Sequence, residues 1–552
     1  MFPEISFPLP NLAPMLNSEF NGAPWWKGAV LYQVYPLSFA DSNGDGYGDL
    51  PGVTNKLDYL VDTLGVDGIW LSPFFRSPMV DWGYDISDHT DVDPIFGDLE
   101  DAKELITKAH EMGLAVIVDY VMNHTSDQHP WFLESRSSRD NPKRDWYVWR
   151  DGRDNGPPNN WVSVFSGPAW SYDETTEQWY RHTFLPQQPD INWRDDEAVE
   201  SMMDVARFWL DLGVDGFRVD AAHQMMKDPL ERDNPPAPDD YPRPWKNMGE
   251  YDQFIHLYDF GQPDVHEAHR HFRKVVDSCG RDTLTVGEIH IFDLPEWASY
   301  YGEDLDQLTM PFNFHLMATE WDVPSIRATV ESVLWNVPVG GWTNWTLGNH
   351  DEQRLSSRLP KGHERLAATL LLTLRGTPFL YYGDEIGMAE ARIAPEGRRD
   401  PWGNNVESLN RDGARTPMQW SPEANAGFTS PDSVPWLPVH SEHPEVNVES
   451  ELADGASILN MYRRLIKLRK QSSALRLGSF LSHPASTDTI FAYRRESDTE
   501  TVTVALNFGE ESATVKIGRG TVVFSTIDPN RGERVSDGLS LEPREGVILA
   551  HR

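Results

Sequence analysis

Eight short apolar runs recur along this chain, each closing on polar or charged residues, and nothing else in the sequence limits its fold so strongly. They occupy 30–35, 68–72, 115–120, 213–220, 283–288, 308–312, 345–347 and 378–382. A continuous apolar run reads as a strand buried on both faces, which is the signature of a parallel sheet. Helical patterns separate many of the runs. In 101–112, Ala102, Leu105, Ile106, Ala109 and Met112 fall on one face, and 198–212 and 362–374 behave alike. Eight strands alternating with helices predict an α/β fold, a (β/α)8 barrel, with an open doubly wound sheet as the alternative.

Two segments break the rhythm. Residues 125–190, after the third strand, are rich in Trp, Pro, Asn and Asp and poor in helical period. They read as an irregular domain inserted at the C-terminal end of the barrel. Residues 389–448 are again loop-rich and carry Trp402, Trp420 and Trp436. A helical pattern follows at 458–471. Alternating runs at 489–494, 502–506, 513–517 and 521–524, parted by Gly- and Asp-containing turns, then predict a C-terminal β-sandwich. The expected division is a barrel from 1–124 and 191–474, an insert at 125–190 and a sandwich at 475–552.

Charge narrows the partners. With 48 basic and 86 acidic residues the formal net charge is −38. Such a field repels nucleic-acid backbones and anionic lipid, and it also suits concentrated salt. One cysteine, Cys279, permits no internal disulfide. Residues 1–14 lack the basic start and long apolar core of a signal peptide, and the greasiest stretch, 366–374, is too short to span a bilayer. The expectation is a cytoplasmic protein with neither membrane nor nucleic acid as partner.

Barrel chemistry gathers where strands end, and the strand ends here are consistent. The third run leads into Asp119, Asn123 and His124 (DYVMNH), the fourth into Arg218 and Asp220 (GFRVD), the fifth into Glu288 (VGE) and the seventh into Asn349, His350 and Asp351 (NHD). A single Asp after a strand is most simply a helix N-cap. Carboxylates at four strand ends, two of them beside His, describe a site.

These four segments resemble the conserved regions of glycoside hydrolase family 13, the α-amylase family. QPDIN (188–192), GTPFLYYGDEIGM (376–388) and RTPMQW (415–420) extend the resemblance in order along essentially the whole chain. Within the family the chain looks most like the exo-acting α-glucosidases, the group of maltases and oligo-1,6-glucosidases. The resemblance implies a retaining exo-α-glucosidase that forms a covalent glucosyl-Asp220 intermediate, with Glu288 as general acid/base and Asp351 gripping sugar hydroxyls. Retention needs two carboxyls about 5–5.5 Å apart, one to attack and one to protonate. Arg218, two residues before Asp220 and on the same strand face, should hold Asp220 ionised. Glu288 must carry a proton when it acts, so its pKa should be raised.

The resemblance further implies substrate contacts from Asp81, Tyr84, His124, Phe165, Gln188, Arg218, Ala221, His350 and Arg411. Asp81 and Arg411 together would fork the 4- and 6-hydroxyls of a terminal glucose and close the pocket behind it. Trp82 departs from the Asn common in relatives. Ala221, directly after Asp220, leans to α-1,4 bonds, hence maltose and short maltooligosaccharides, with transglucosylation as a side reaction. Alternatives are an oligo-1,6-glucosidase and a glucosyl transferase or isomerase of the trehalose synthase or sucrose isomerase type. The charged stretch that isomerases carry after NHD is matched only loosely by 354–358. A non-catalytic member would have lost the carboxylates kept here. Small neutral sugars are the implied partners, for a monomer or homodimer.

One loop suggests a cation. Asp41, Asn43, Asp45, the Tyr47 carbonyl and Asp49 stand at positions 1, 3, 5, 7 and 9, with Gly46 at position 6, as in an EF-hand. Gly52 at position 12 and a preceding strand exclude a true EF-hand. Similar loops in the family hold structural Ca2+, or in some relatives Mg2+. No zinc spacing, phosphate loop or dinucleotide fingerprint is present, so no organic cofactor is expected.

Overall fold

The computed structural model describes residues 22–243 and 246–551. The N-terminal stretch read above at 1–14 lies outside the described residues. Eight parallel strands form one sheet: β1 (Leu31–Val34), β2 (Gly68–Leu71), β3 (Ala115–Val121), β4 (Gly216–Asp220), β5 (Leu284–Gly287), β6 (Met310–Pro311), β7 (Asn344–Thr346) and β8 (Thr377–Tyr381). Their order, β6-β5-β4-β3-β2-β1-β8-β7, is that of a barrel with its ladder interrupted between β6 and β7. Side chains bridge that seam. Asn344 accepts from the Asn313 amide at 2.9 Å and donates to the Pro311 carbonyl at 2.8 Å. The open-sheet alternative is thereby replaced by the barrel.

The helices form where pattern and caps agree. Leu99–Glu111 starts from a capping box between Asp98 and Asp101 and buries Ala102, Leu105, Ile106 and Ala109. Asp196–Leu212 starts at the Asp195 cap and stops at Gly213, whose φ of 109° suits glycine. Glu364–Thr373 is buried on nearly every side. It lies beneath the C-terminal sheet, where Arg495 donates to the Thr373 carbonyl at 2.5 Å. Among the described residues no helix is long and apolar enough to cross a membrane.

The chain leaves β3 at His124 and returns at Asp190, and these two residues pair as an isolated bridge. Between them lies a three-stranded antiparallel sheet in the order Trp149–Arg150, Gln178–Arg181, Trp170–Asp173. Asp190 fixes the neck: Lys227 reaches it at 3.0 Å and Asn123 at 3.1 Å.

Past the helix Ile458–Gln471 come β9 (Ser479–Ser482), β10 (Ile490–Glu496), β11 (Thr501–Asn507), β12 (Ala513–Val515), β13 (Gly520–Ser525), β14 (Arg534–Val535), β15 (Leu539–Leu541) and β16 (Gly546–Ala550). Six of them build one antiparallel sheet, β9-β10-β11-β16-β13-β14, and β12 pairs with β15. Ile490, Ala505, Val547 and Leu549 of the sheet pack on Val515, Leu539 and Leu541 of the ribbon, which is the sandwich core. The four alternating runs of the tail are β10 to β13. The remaining strands are too short or too isolated to show a period.

Candidate active site

Register brings the first group together. Asp119 on β3 pairs with Arg218 on β4, and Val219 pairs with Gly287 at the end of β5. The ladder runs one step further, through Glu288 N donating to the Val219 carbonyl at 2.8 Å. Asp119, Arg218, Asp220 and Glu288 therefore converge above one end of the barrel. Arg218 bridges all three carboxylates. Its Nη1 lies 2.8 Å from both Asp119 and Asp220, and its Nη2 lies 2.7 Å from Glu288. Trp70 Nε1 also donates to Asp119 at 3.0 Å.

Glu288 has two further donors. Ala221 sits in the left-handed region at φ 45° and directs its N–H to Oε2 at 3.0 Å. His290, stacked on Phe314 at 4.6 Å and about one-third exposed, reaches Oε1 at 2.8 Å. Three donors favour the ionised carboxylate. Burial pushes the Glu288 carboxyl up, but Arg218 and His290 outweigh it and hold its pKa below the usual range. Among the described residues Asp220 has Arg218 as its one charged hydrogen-bond partner. Burial dominates there and raises its pKa well above the usual value despite Arg218. Both directions run against the sequence-based expectations: burial raises the Asp220 carboxyl, and the charge and donors around Glu288 lower that carboxyl. Burial is the cause for Asp220, and the second Arg218 contact together with His290, which strand patterns do not reveal, is the cause for Glu288.

A ring stack lies beside this group. Tyr84 and His350 are parallel, 2° apart, with centroids 5.3 Å apart. Gln33 donates to His350 Nδ1 at 2.8 Å, which leaves Nε2–H to donate to the Tyr84 hydroxyl at 2.6 Å. Tyr84 in turn donates to Asp119 at 3.2 Å. Burial lowers the pKa of His350 to about 3 and of His124 to about 4, so both rings are neutral at ordinary pH.

The second group is built from loops. Arg411 donates through Nη2 to Asp81 at 2.8 Å and through Nη1 to Asp351 at 2.9 Å. Arg415 adds a bond to the same Asp351 oxygen at 2.9 Å. Burial raises the Asp351 pKa, but His350, Arg411 and Arg415 overcome it and hold the carboxyl well below its usual range. Gln188 donates to Asp81 at 3.2 Å and lies 3.2 Å from His124 Nε2. Phe165 stacks on Trp402, and the Arg411 guanidinium lies 5.2 Å from the Phe165 ring. All twelve residues expected at the sugar site fall in these two connected groups.

Sequence reading missed Asp400, which is fully buried and binds Arg411 through Nε at 3.1 Å and Nη2 at 2.6 Å. Its only signal was the Asp-Pro pair that starts the helix Pro401–Asn405, which says N-cap and nothing of arginine.

The 41–49 loop is folded on its own amides. Asp41 accepts from Asn43, Gly44 and Gly46 at 3.0, 2.7 and 2.8 Å, Asn43 from Asp45 at 2.9 Å, and Asp45 from Tyr47 at 2.9 Å. Asp49 accepts from the Gly52 amide at 2.6 Å through one oxygen and from the Ser42 hydroxyl at 2.9 Å through the other. The donor set is all hard oxygen, which fits Ca2+ or Mg2+. Among the described residues, no three His, Cys, Asp or Glu side chains gather closely enough to hold a metal ion.

Comparison with known proteins agrees with this geometry. Residues 33–478 match the model of the alpha amylase catalytic domain. A probable alpha-glucosidase of Rhizobium meliloti (strain 1021) is 41% identical over 89% of this chain and 91% of its own length. An oligo-1,6-glucosidase of Parageobacillus thermoglucosidasius is 37% identical over 96% of this chain and 99% of its own length. The crystal structure of the alpha-glucosyl transfer enzyme XgtA superposes with a TM-score of 0.89 at 40% identity, covering 96% of this chain and all of that one. The chain belongs to the α-amylase family, glycoside hydrolase family 13. Within that family it stands in the α-glucosidase group and is a glycoside hydrolase.

Proposed function

We propose that the protein removes terminal α-linked glucose with retention, preferring α-1,4 bonds, through Asp220 as nucleophile and Glu288 as general acid/base. The observation that carries this reading is one arginine, Arg218, bridging two carboxyls that end neighbouring strands. The Asp220 carboxylate attacks the anomeric carbon, the glycosidic C–O bond breaks, and the leaving oxygen takes a proton from Glu288. Water then attacks the glucosyl ester, gives its proton to Glu288 and frees Asp220. Asp351, with Asp81 and Arg411, grips the glucose hydroxyls, and the neutral His124 and His350 flank the same ring and hold Tyr84 beside it.

The small Ala221 supports the α-1,4 preference, and the likeness to a transfer enzyme supports glucosyl transfer to sugar acceptors beside hydrolysis. The proposal extends to a cytoplasmic monomer or homodimer with a structural Ca2+ or Mg2+ held by Asp41, Asn43, Asp45, the Tyr47 carbonyl and Asp49. Bound there, the ion supplies loop rigidity and takes no part in catalysis.

The test is product analysis on maltose, isomaltose, trehalose and sucrose side by side, with Asp220→Asn as control. Glucose from maltose at the highest kcat/KM is expected, and Asp220→Asn should cost at least ~10³-fold in rate. A variant with near-normal maltase activity would sink the assignment, and isomerised sucrose as main product would replace hydrolysis by isomerisation.

A further inference from the structure

Trp82 and Asp400 have no part in the chemistry described so far, yet both converge on the one arginine at the pocket's far end. Asp400 grips Arg411 twice. One carboxylate oxygen takes Nε and Nη2, and the other accepts the Arg411 backbone N–H at 2.7 Å. Asp400 is itself pinned. Its amide and that of Arg399 donate to Asp412 at 3.2 and 2.8 Å, which draws the two ends of the 399–412 excursion together. Trp82 donates from its indole nitrogen to the Arg399 carbonyl at 3.0 Å and packs on Trp436 at 4.7 Å. It follows Asp81 directly and takes φ 48°, a left-handed turn that a tryptophan adopts only at a cost. Neighbouring residues 81 and 82 thus hold the arginine and the loop that carries it.

An N-cap for a five-residue helix needs no buried carboxylate, since Ser or Asn caps as well without the cost of burying charge. The charge is matched by Arg411. With Nε and one Nη2 hydrogen taken by Asp400, the guanidinium gives one bond to Asp81 and one to Asp351. Without Asp400 the same fork is free to close on Asp81 as a two-bond pair, the geometry arginine and carboxylate favour. That would consume the Asp81 oxygens that a sugar must reach.

We propose that Asp400 and Trp82 are positioning residues that aim Arg411, and thereby set how strongly the pocket demands the far hydroxyls of its terminal glucose. The proposal rests on the α-glucosidase reading above. The experiment compares p-nitrophenyl α-D-glucopyranoside with its 4-deoxy analogue, for wild type, Asp400→Asn and Trp82→Phe. Wild type should prefer the parent. Asp400→Asn should lose about tenfold in kcat/KM on the parent, mostly through KM, and little on the analogue, as expected for one charge-assisted contact. Trp82→Phe keeps a ring on Trp436 and loses the indole N–H, so its preference should fall in the same direction by about threefold. Equal losses on both substrates, or none, overturn the proposal. If Asp400→Asn does not fold, Trp82→Phe decides, and an unchanged preference overturns it. Wild-type protein that cleaves neither substrate overturns the α-glucosidase reading and this inference with it.

Discussion

Two buried arginines organise the pocket in opposite ways. Arg218 stands on β4, inside a continuous ladder, and its partners come from β3 and from the ends of β4 and β5. Arg411 stands in a loop, and its partners Asp81, Asp351 and Asp400 come from three separate excursions. Pleat and register already point Arg218 at Asp119 and Asp220, with the rings of Trp70 and Tyr84 beside it. Arg411 has no ladder, so a buried carboxylate, a tryptophan tie and flanking rings of Phe165 and Trp402 do the work of a strand. Reacting groups on a rigid sheet, and specificity groups on loops braced by side chains, divide the site between what must stay fixed and what can diverge.

The contrast can be broken most sharply at the ladder. Arg218→Lys keeps the charge but cannot bridge three carboxylates, so kcat/KM should fall by ~10²–10³-fold, measured against an unchanged melting temperature. A loss no larger than that of the loop variants would put the two arginines on one footing. His290→Phe preserves the stack on Phe314 and removes a donor to the Glu288 carboxylate oxygen. A lost donor raises the pKa of the acid. Asp220 and Glu288 titrate as a coupled pair, and loss of the proton they share sets the high-pH limb of kcat/KM, so that limb should move upward. A downward shift would mean that His290 does not act on Glu288. The smallest effect belongs to the 41–49 loop, which packs on residues 428–436. Chelator treatment should lower the melting temperature by a few degrees, about 1–3 kcal/mol of linked binding, with kcat little changed. Equal melting curves and no metal by elemental analysis would remove the cation.

What could be read in advance follows the same division. The eight runs gave the barrel, and the two-residue spacing of Arg218 and Asp220 placed them on one face, because strands translate sequence into direction with a fixed period. The union of Asp119 with Arg218 depends on register across the whole insert and the helix that follow β3, and spacing does not encode register. Loops have no period at all. Asp400 therefore read as a cap, and Trp82 stood out only as a departure from a resembling family. The order of the two carboxyl pKa values escaped because it depends on burial and on contacts of Arg218 and His290 that are recognisable only once side chains have directions. The cation loop shows the converse. Its ligand spacing is plain in sequence, while the turn of Asp49 toward Ser42 and Gly52 is visible only in three dimensions.

The pairing of Asp81 with Arg411 has a consequence for how such a catalyst experiences its food. A pocket stopped by that pair meets a polymer only where a chain terminates, so its working concentration is the number of ends in solution and not the mass of glucan. Doubling the length of every chain at fixed mass halves the encounters, whereas each branch adds a new one. On the proposed reading, the protein measures how finely its substrate has already been cut.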